Sequence, residues 1–175
     1  HVISIFHIMG RKSYLLDVNF DDRGQLENWI AAVKSIRLAS GVPAVLAIET
    51  MKVIESHKKK EAFTLSSYKQ ISGQSHFFVK IDNPHHDQDL ISVLNTSNIV
   101  QSLLHVQGDC SYICEIITAD YADYKNLLLK IKSLPTVFHL ETQEVLSVIK
   151  YRSQVIDESG NLSFPGSDFR EMYSL

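Results

Sequence analysis

The alternation of hydrophobic and polar positions is most regular between residues 76 and 150. Apolar residues alternate with more polar neighbours at the start of this segment, as they do in a β-strand. They are Phe77, Val79 and Ile81. Asn83 and Pro84 then predict the start of a helix, because Asn is a good N-cap and Pro is tolerated at the first helical position.

The rest of this segment predicts two strands, a second helix and a long final strand. Residues 99–106 and 112–117 read as a hairpin around a tight turn at Gly108. Asp120 resembles a helix cap, and the apolar residues after it recur at i, i+3, i+4 and i+7, as in an amphipathic helix. With a strand over residues 137–149, the predicted order is strand, helix, strand, strand, helix, strand.

The chain also contains an imperfect copy of this pattern. Residues 2–36 match residues 100–134 at a shift of 98, and after six inserted residues, 37–42, the register resumes at a shift of 92. Identical pairs include Gly10/Gly108, Ser13/Ser111, Tyr14/Tyr112, Asp22/Asp120, Glu49/Glu141 and Thr50/Thr142. Such a repeat predicts two related units that pair within one chain as the subunits of a homodimer do.

The first copy holds only the last four elements of the unit. Its strands are predicted at residues 2–8, 14–20 and 44–55, and its helix at residues 24–36. Because His1 falls within an apolar strand pattern, the opening strand and helix are expected just upstream, in a longer native chain. The predicted domains are a partial copy at 1–60, a linker at 61–75, a complete copy at 76–150 and an irregular tail at 151–175.

This order of elements predicts an α+β fold of the ferredoxin-like βαββαβ type, duplicated, with the first copy incomplete at its N-terminus. Two helices cover one face of the antiparallel sheet, and the other face is expected to be bare and apolar. The residues assigned to the bare face are Val100, Leu104, Cys114 and Ile116. An apolar face needs a partner, so the two copies are expected to pack sheet against sheet, with Leu16 or Val18 on Cys114 or Ile116.

Composition and charge exclude some classes of function. With 45% hydrophobic and 21% charged residues, the chain is expected to fold as an ordinary globular protein. A net charge of -3 argues against a nucleic-acid surface in these residues, since phosphate binding needs an excess of Lys and Arg. The one basic cluster, His57-Lys58-Lys59-Lys60, is short and is interpreted as the solvated start of the linker.

The two cysteines predict a reducing compartment. Cys110 and Cys114 lie four residues apart, or roughly 13 Å along an extended chain, which is too far for a disulfide. No apolar stretch approaches the roughly 20 residues that span a bilayer, and no signal peptide opens the sequence. The expectation is a cytoplasmic protein with two free thiols, no metal and no membrane contact.

Four short segments of the complete unit resemble a known family. They are Phe78-Val79-Lys80-Ile81-Asp82, Val106-Gln107-Gly108-Asp109-Cys110-Ser111-Tyr112, Ser133-Leu134-Pro135 and Glu141-Thr142. In this order and spacing they resemble the effector-binding domain, or RAM domain, of the leucine-responsive regulatory protein (Lrp)/AsnC family. The repeat extends the resemblance to two such domains in tandem.

The resemblance implies a function in transcription regulation. In that family the domain follows a DNA-binding helix-turn-helix, dimerises through its sheets and binds an amino acid or similar small molecule. This chain would then be the effector-sensing and oligomerisation portion of a cytoplasmic regulator. Its partners would be a small-molecule effector and further copies of itself, and DNA binding would depend on a region outside the chain. No catalytic residue, cofactor or metal is implied.

The family's ligand site lies near the turn between its second and third strands. The resemblance therefore implies a site at Gly108, Asp109, Cys110, Ser111 and Tyr112, and at the equivalent Gly10, Ser13 and Tyr14. The family pattern is glycine, any residue, aromatic, aspartate; Gly108 matches it, whereas Cys110 and Ser111 depart from it. The glycines are expected to allow a positive φ and to leave backbone polar groups of the turn unpaired.

Other chemistry-bearing residues have simpler interpretations. His7 and His105 occupy matching strand positions and are expected to point outward rather than form a catalytic or metal-binding pair. His85-His86-Asp87 would lie on the first turn of a helix, where consecutive side chains diverge, so no metal site is predicted there. Asp22 is interpreted as a helix cap.

Two alternative functions remain open from the sequence. The architecture is also similar to that of siroheme decarboxylases, in which case His7, His105 and Arg11 would contact a tetrapyrrole carboxylate. The other alternative is an oligomerisation module that binds no ligand. The leading prediction is a sensor and not an enzyme.

Overall fold

The computed structural model describes residues 2–59, 74–85 and 87–151, with the backbone of 154–156 and 162–163. Over these ranges the chain forms a mixed α/β fold with an antiparallel sheet and three helices. The strands are β1 (Val2–Met9), β2 (Tyr14–Val18), β3 (Lys52–Lys59), β4 (Ser75–Asp82), β5 (Val100–Gln107), β6 (Tyr112–Thr118), β7 (His139–Tyr151), β8 (Gln154–Ile156) and β9 (Leu162–Ser163). The helices are α1 (Arg23–Ser35), α2 (Gln88–Thr96) and α3 (Tyr121–Lys132).

Seven of these strands form one continuous path, in the order β2-β1-β7-β4-β6-β5-β3, and each neighbouring pair is antiparallel. Most of the predicted linker (61–75) and tail (151–175) lies outside the described residues. Among the described residues, no helix is both long enough and apolar enough to cross a lipid bilayer.

The main core lies between strands β4 to β7 and the helices α2 and α3. Buried side chains from both helices pack on one face of the sheet, and each contributes about 1.5–3 kcal/mol through burial. They include Leu90, Leu94, Tyr124, Leu127 and Ile131, on the strand residues Val79, Ile81, Leu103, Cys114 and Ile116. The helical spacing that the sequence predicts for α3 therefore marks its buried face.

Two of the three helices begin where the sequence predicts, and one does not. The predicted caps Asp120 and Asp22 are confirmed, because their carboxylates accept hydrogen bonds from the backbone N–H groups of Ala122 and Gln25. The predicted start at Asn83-Pro84 is wrong, because α2 begins at Gln88 with Asp87 as its cap. Asn83 is instead fully buried, and its backbone N–H donates to Ser111 Oγ at 3.0 Å.

The assignment of the bare sheet face is also wrong for three of its four residues. Val100, Cys114 and Ile116 lie in the core beneath the helices. On the opposite face, the Phe6 ring of β1 lies 4.8 Å from the ring of Phe78 of β4 between centroids. A second apolar cluster forms there, made of Phe6, Ile8, Phe78 and Tyr151.

The hairpins β1–β2 and β5–β6 share one register at the shift of 98. The equivalent pairs are Val2/Val18 with Val100/Ile116, Ile5/Leu16 with Leu103/Cys114, and His7/Tyr14 with His105/Tyr112. The two segments therefore form the same local structure although most of their side chains differ.

The two halves of the chain join edge to edge. β7 pairs with β1, and its equivalent β3 pairs with β5, the equivalent of β1. Pairs in the β1–β7 ladder match pairs in the β5–β3 ladder: Met9/Glu144 matches Gln107/Lys52, Phe6/Val148 matches Leu104/Ser56, and Ile5/Lys150 matches Leu103/Lys58. The register shifts also fall at equivalent positions in the two ladders. The predicted packing of two separate sheets face to face is wrong, since hydrogen-bonded ladders unite them in one sheet.

The predicted strand over residues 44–55 forms a ladder only from Lys52 onward. The equivalents of residues 47–52 in the second half are 139–144, and these pair with β4. The described part of the first half contains no equivalent of β4. Among the described residues, 44–51 therefore have no neighbouring strand to pair with, and they form no strand themselves although the sequence pattern predicts one.

Candidate functional site

The predicted ligand-binding turn lies between β5 and β6 and is fixed to the end of β4. The backbone N–H of Ser111 donates to the Ile81 carbonyl at 3.0 Å, and the Ser111 carbonyl accepts from Val106 N–H at 2.9 Å. The Ser111 hydroxyl accepts from Asn83 N–H. The expectation that this turn leaves its polar groups unpaired is therefore wrong at Ser111, which positions the turn against β4.

Glycine is needed at position 108 for space rather than for a positive φ. Gly41 is the glycine with a positive φ among the described residues. A Cβ on Gly108 would lie 2.7 Å from Met51 Cγ, whereas a Cβ on Gly10 would lie 3.5 Å from Gln143 Cγ. Met51 and Gln143 are equivalent at the shift of 92, so each turn contacts the other half of the chain.

A cleft of about 340 Å³ opens beside this turn. Gly108, Cys110 and Ser111 line one side, and Ile54 of β3 lies on its wall together with Pro84. The volume is at the lower end of the range for small-molecule sites, about 300–1,000 Å³. The cleft thus brings three of the predicted site residues together with a residue from the first half of the chain.

The other residues predicted for this site lie in different environments. Tyr112 is fully buried in the core, and burial first, then the Glu55 carboxylate, raises the pKa of its hydroxyl. Asp109 is exposed and forms an ion pair with Lys80 at 2.9 Å. This hydrogen bond lowers the pKa of Asp109, so the carboxylate is tied to β4.

Lys80 is a buried cation with two acidic neighbours. Its Nζ lies 2.9 Å from Asp109 Oδ2 and 4.0 Å from Glu141 Oε2. Burial opposes the charge, but the hydrogen bond and the negative charges outweigh it, and the pKa of Lys80 is raised. The first half replaces this arrangement with an ion pair of 2.7 Å between Lys12 and Glu49, the equivalent of Glu141.

The turn of the first half is more exposed. Gly10 and Ser13 are exposed, and the Tyr14 ring, also exposed, stacks on His7 at 5.3 Å between centroids. Gly10, Ser13 and Tyr14 therefore lie at equivalent positions to Gly108, Ser111 and Tyr112, but Tyr14 is at the surface where Tyr112 is in the core.

Both thiols are buried and free. Burial raises the pKa of Cys110 to about 11 and raises that of Cys114 further. Since the thiolate is the reactive form, neither cysteine is set up as a nucleophile at neutral pH.

A buried polar network lies on the sheet face opposite the helices. Glu115 accepts a hydrogen bond from the Tyr151 hydroxyl at 2.8 Å, its Oε1 lies 3.0 Å from His76 Nε2, and its Oε2 lies 3.3 Å from Ser102 Oγ. The Phe6 ring of the first half packs against this network, and its centroid lies 5.5 Å from that of the His76 ring and 5.7 Å from that of the Tyr151 ring. The network therefore lies where the two halves meet.

Sequence reasoning missed this network although a signal is present. His76, Phe78 and Lys80 alternate with the core residues of β4, so they share the opposite face. Two buried atoms on this side, His76 Nδ1 and Gln143 Oε1, have no hydrogen-bond partner among the described residues. Polar atoms buried without partners are costly, so they mark places where water or a polar ligand can bind.

The remaining sequence candidates are not brought together. His7 opposes Ser147 of β7, whereas His105 opposes Glu55 of β3. His85 lies near the Phe138 ring, at 6.0 Å between centroids, and His86 lies outside the described residues. Asp87 caps α2 and accepts a hydrogen bond from Thr136, which lowers its pKa.

Comparison with known protein families gives a match over one part of the chain. The family model of the Lrp/AsnC ligand binding domain matches residues 72–155. No curated protein matches the sequence.

Two solved structures are similar to about half of the chain. One is a transcriptional regulator, NMB0573, from Neisseria meningitidis in complex with L-Met, with 16% identity, a TM-score of 0.45, and coverage of 54% of this chain and 64% of that chain. The other is PH0061, with 17% identity, a TM-score of 0.43, and coverage of 53% and 64%. The chain thus matches less than two thirds of the length of either structure.

The matched range contains strands β4 to β7, both helices of the main core and the turn beside the cleft. Residues 72–155 of this chain therefore match the Lrp/AsnC ligand binding domain.

Proposed function

We propose that this chain is the effector-sensing part of a transcriptional regulator and that its small ligand binds in the cleft beside Gly108 and Ser111. The observation that carries the proposal is the position of the cleft. It lies at the β5–β6 turn of a domain whose family binds ligands, and Ile54 brings the other half of the chain onto its wall. A ligand there would contact both halves at once.

The proposal includes a tandem arrangement of two ferredoxin-like domains, the first lacking its opening strand and helix. The order β7-β4-β6-β5 supports the ferredoxin-like assignment of residues 76–150. The identical registers of the two hairpins, and of the two ladders that join the halves, support the duplication. In this arrangement the two halves pair in one chain as two subunits would.

The lining of the cleft limits the ligand to a small molecule such as an amino acid. Ile54 and Pro84 give an apolar wall, and Gln107 and His105 supply polar groups. Asp109, the acidic residue of the turn, is held by Lys80. A ligand ammonium group would therefore depend on Gln107 and on backbone carbonyls rather than on a free carboxylate.

The mechanism proposed is a shift between two packings of the halves. A ligand that contacts β3 and the β5–β6 turn stabilises the packing in which both line the cleft. A change in that packing alters the geometry of whatever is attached to the two halves. DNA binding by a region outside this chain, and assembly with further copies in the cytoplasm, complete the proposal.

Replacing Ile54 with Arg is expected to weaken ligand binding while leaving the fold intact. Ile54 lines the cleft and is half exposed, so the new side chain places bulk and charge in the cleft without disturbing the core. We expect the affinity to fall by about tenfold or more, a loss of roughly 1.4 kcal/mol. The measurement is calorimetric titration with the amino acid that gives the largest shift in a thermal screen of all twenty.

Leu146→Arg is the matched control, because Leu146 is the equivalent of Ile54 at the shift of 92 and is similarly exposed, 53% against 51%. It does not line the cleft and should bind as the wild type does. Equal losses in both variants contradict the site. A screen in which no amino acid binds contradicts the sensor proposal, and a visible absorption band on mixing with siroheme favours the decarboxylase alternative instead.

A further inference from the structure

Three side chains with metal-binding atoms converge on the helix side of the sheet edge. Glu55 and His57 belong to β3, and His105 belongs to β5. Each offers one ligand atom, and these atoms all lie within 4.8 Å of one another. His57 Nε2 and Glu55 Oε2 are 3.7 Å apart.

The register of the two strands creates this cluster. Glu55 directly opposes His105 in the β3–β5 ladder. The register then shifts between Ser56 and Lys58, so His57 is the extra residue of a bulge. Bulges redirect side chains, and here the bulge aims His57 toward the same place as Glu55 and His105.

The surroundings hold the two imidazoles in place. The fully buried Tyr112 ring packs beside both, at 5.2 Å from His105 and 5.8 Å from His57 between centroids. The neighbouring cation of Lys58 is bonded to the carbonyls of Asn95 and Ser97, at 3.0 and 2.7 Å, at the end of α2. Its charge is thereby anchored to the last turn of a helix, which favours cations.

We propose that Glu55, His57 and His105 bind a divalent transition-metal ion of the zinc class. Two imidazole nitrogens and one carboxylate oxygen are a donor set that Zn²⁺ accepts, with metal–ligand distances of about 2.0–2.2 Å. Tetrahedral ligands at that distance lie about 3.3–3.6 Å from each other, so small side-chain movements complete the geometry. Three protein ligands leave a position open for water or another molecule.

The equivalent place in the other half lacks these ligands. His7 is the equivalent of His105, but it opposes Ser147, and the equivalent of His57 is Ile149. The site is therefore specific to the β3–β5 junction. It does not depend on the proposed effector function, although His105 also lines the cleft.

The test is titration of the metal-free chain with ZnCl₂, monitored by competition with a chromogenic chelator. We expect one Zn²⁺ per chain, and a loss of affinity of more than about 100-fold in His105→Ala and in Glu55→Gln, since even second-shell changes cost about 10- to 100-fold. Glu55 is largely exposed, so Glu55→Gln tests the site without risk to the fold.

His7→Ala is the matched control and should bind Zn²⁺ as tightly as the wild type. Titration with CoCl₂ gives an independent readout, because coordination by these residues should produce visible absorption that the Glu55→Gln variant lacks. The proposal is overturned if the chain takes up no stoichiometric Zn²⁺, or if His7→Ala weakens binding as much as His105→Ala does.

Discussion

Replacing Glu115 with Ala is expected to lower the free energy of unfolding by about 3–5 kcal/mol. The carboxylate is 5% exposed and is the common partner of Tyr151, His76 and Ser102. Its removal leaves a buried hydroxyl and a buried imidazole without an acceptor, at a place that the apolar ring of Phe6 seals. Urea denaturation followed by circular dichroism measures the change.

Asp17→Ala is the control for this prediction. Asp17 is the equivalent of Glu115 at the shift of 98, opposes Ser4 as Glu115 opposes Ser102, and is exposed. Its replacement should change the stability by less than about 1.5 kcal/mol, the contribution of one hydrogen bond. If both variants lose a similar free energy of unfolding, the Glu115 network is not buried as the structure describes it.

Replacing Phe6 with Ala is expected to cost about 3–5 kcal/mol and to uncouple the two halves of the chain. Phe6 is 3% exposed and contacts the rings of Phe78, His76 and Tyr151, all of which belong to the second half. It is the main apolar contribution of β1 to the second cluster. Without it, the first half keeps its backbone ladders and the packing of Ile8, but it loses its aromatic contacts with the second half.

The single tryptophan, Trp29, lies in α1 and reports on the first half alone. In the wild type its fluorescence and the circular dichroism should change at the same urea concentration, as in two-state unfolding. In Phe6→Ala the fluorescence should change first. Leu104→Ala, the half-buried equivalent, should cost less than about 2 kcal/mol and keep the transitions together. Coincident transitions in Phe6→Ala would contradict the coupling role.

Local patterns in the sequence predict most of the elements because they depend on neighbouring residues. The helical spacing after Asp120 and the alternation along β4 each arise from one buried face, and both occur as predicted. The start of α2 was missed because Asn83 resembles an N-cap but is engaged in contacts with Ser111 and Thr136, distant in the chain. Tertiary hydrogen bonds there outweigh the local signal.

The orientation of β6 could not be read from its sequence. Ile113 and Ile117 are as apolar as Cys114 and Ile116, so alternation does not tell which pair faces the helices. The same uncertainty produced the wrong assignment of the bare face. The cluster around His57 could not be predicted, because it depends on cross-strand register between residues far apart in the chain. For the network around Glu115, alternation along β4 indicates the face on which His76 lies, but the register decides which residues meet there.

The candidate site was predicted in part. Gly108, Cys110 and Ser111 do line a cleft, but Tyr112 is in the core and Ser111 is engaged with Asn83. Ile54 could not be predicted, because it reaches the cleft only through the pairing of β3 with β5. The family resemblance located the turn, and the joining of the two halves decides what surrounds it.

We propose that a small ligand binds where the β5–β6 turn meets β3. Amide hydrogen–deuterium exchange on the whole chain, with and without the amino acid that binds most tightly in the screen, tests it most directly. We expect slower exchange on binding at residues 105–111 and 52–56, and no change in β2. Slower exchange confined to α3, or to the first turn around Gly10, would contradict it.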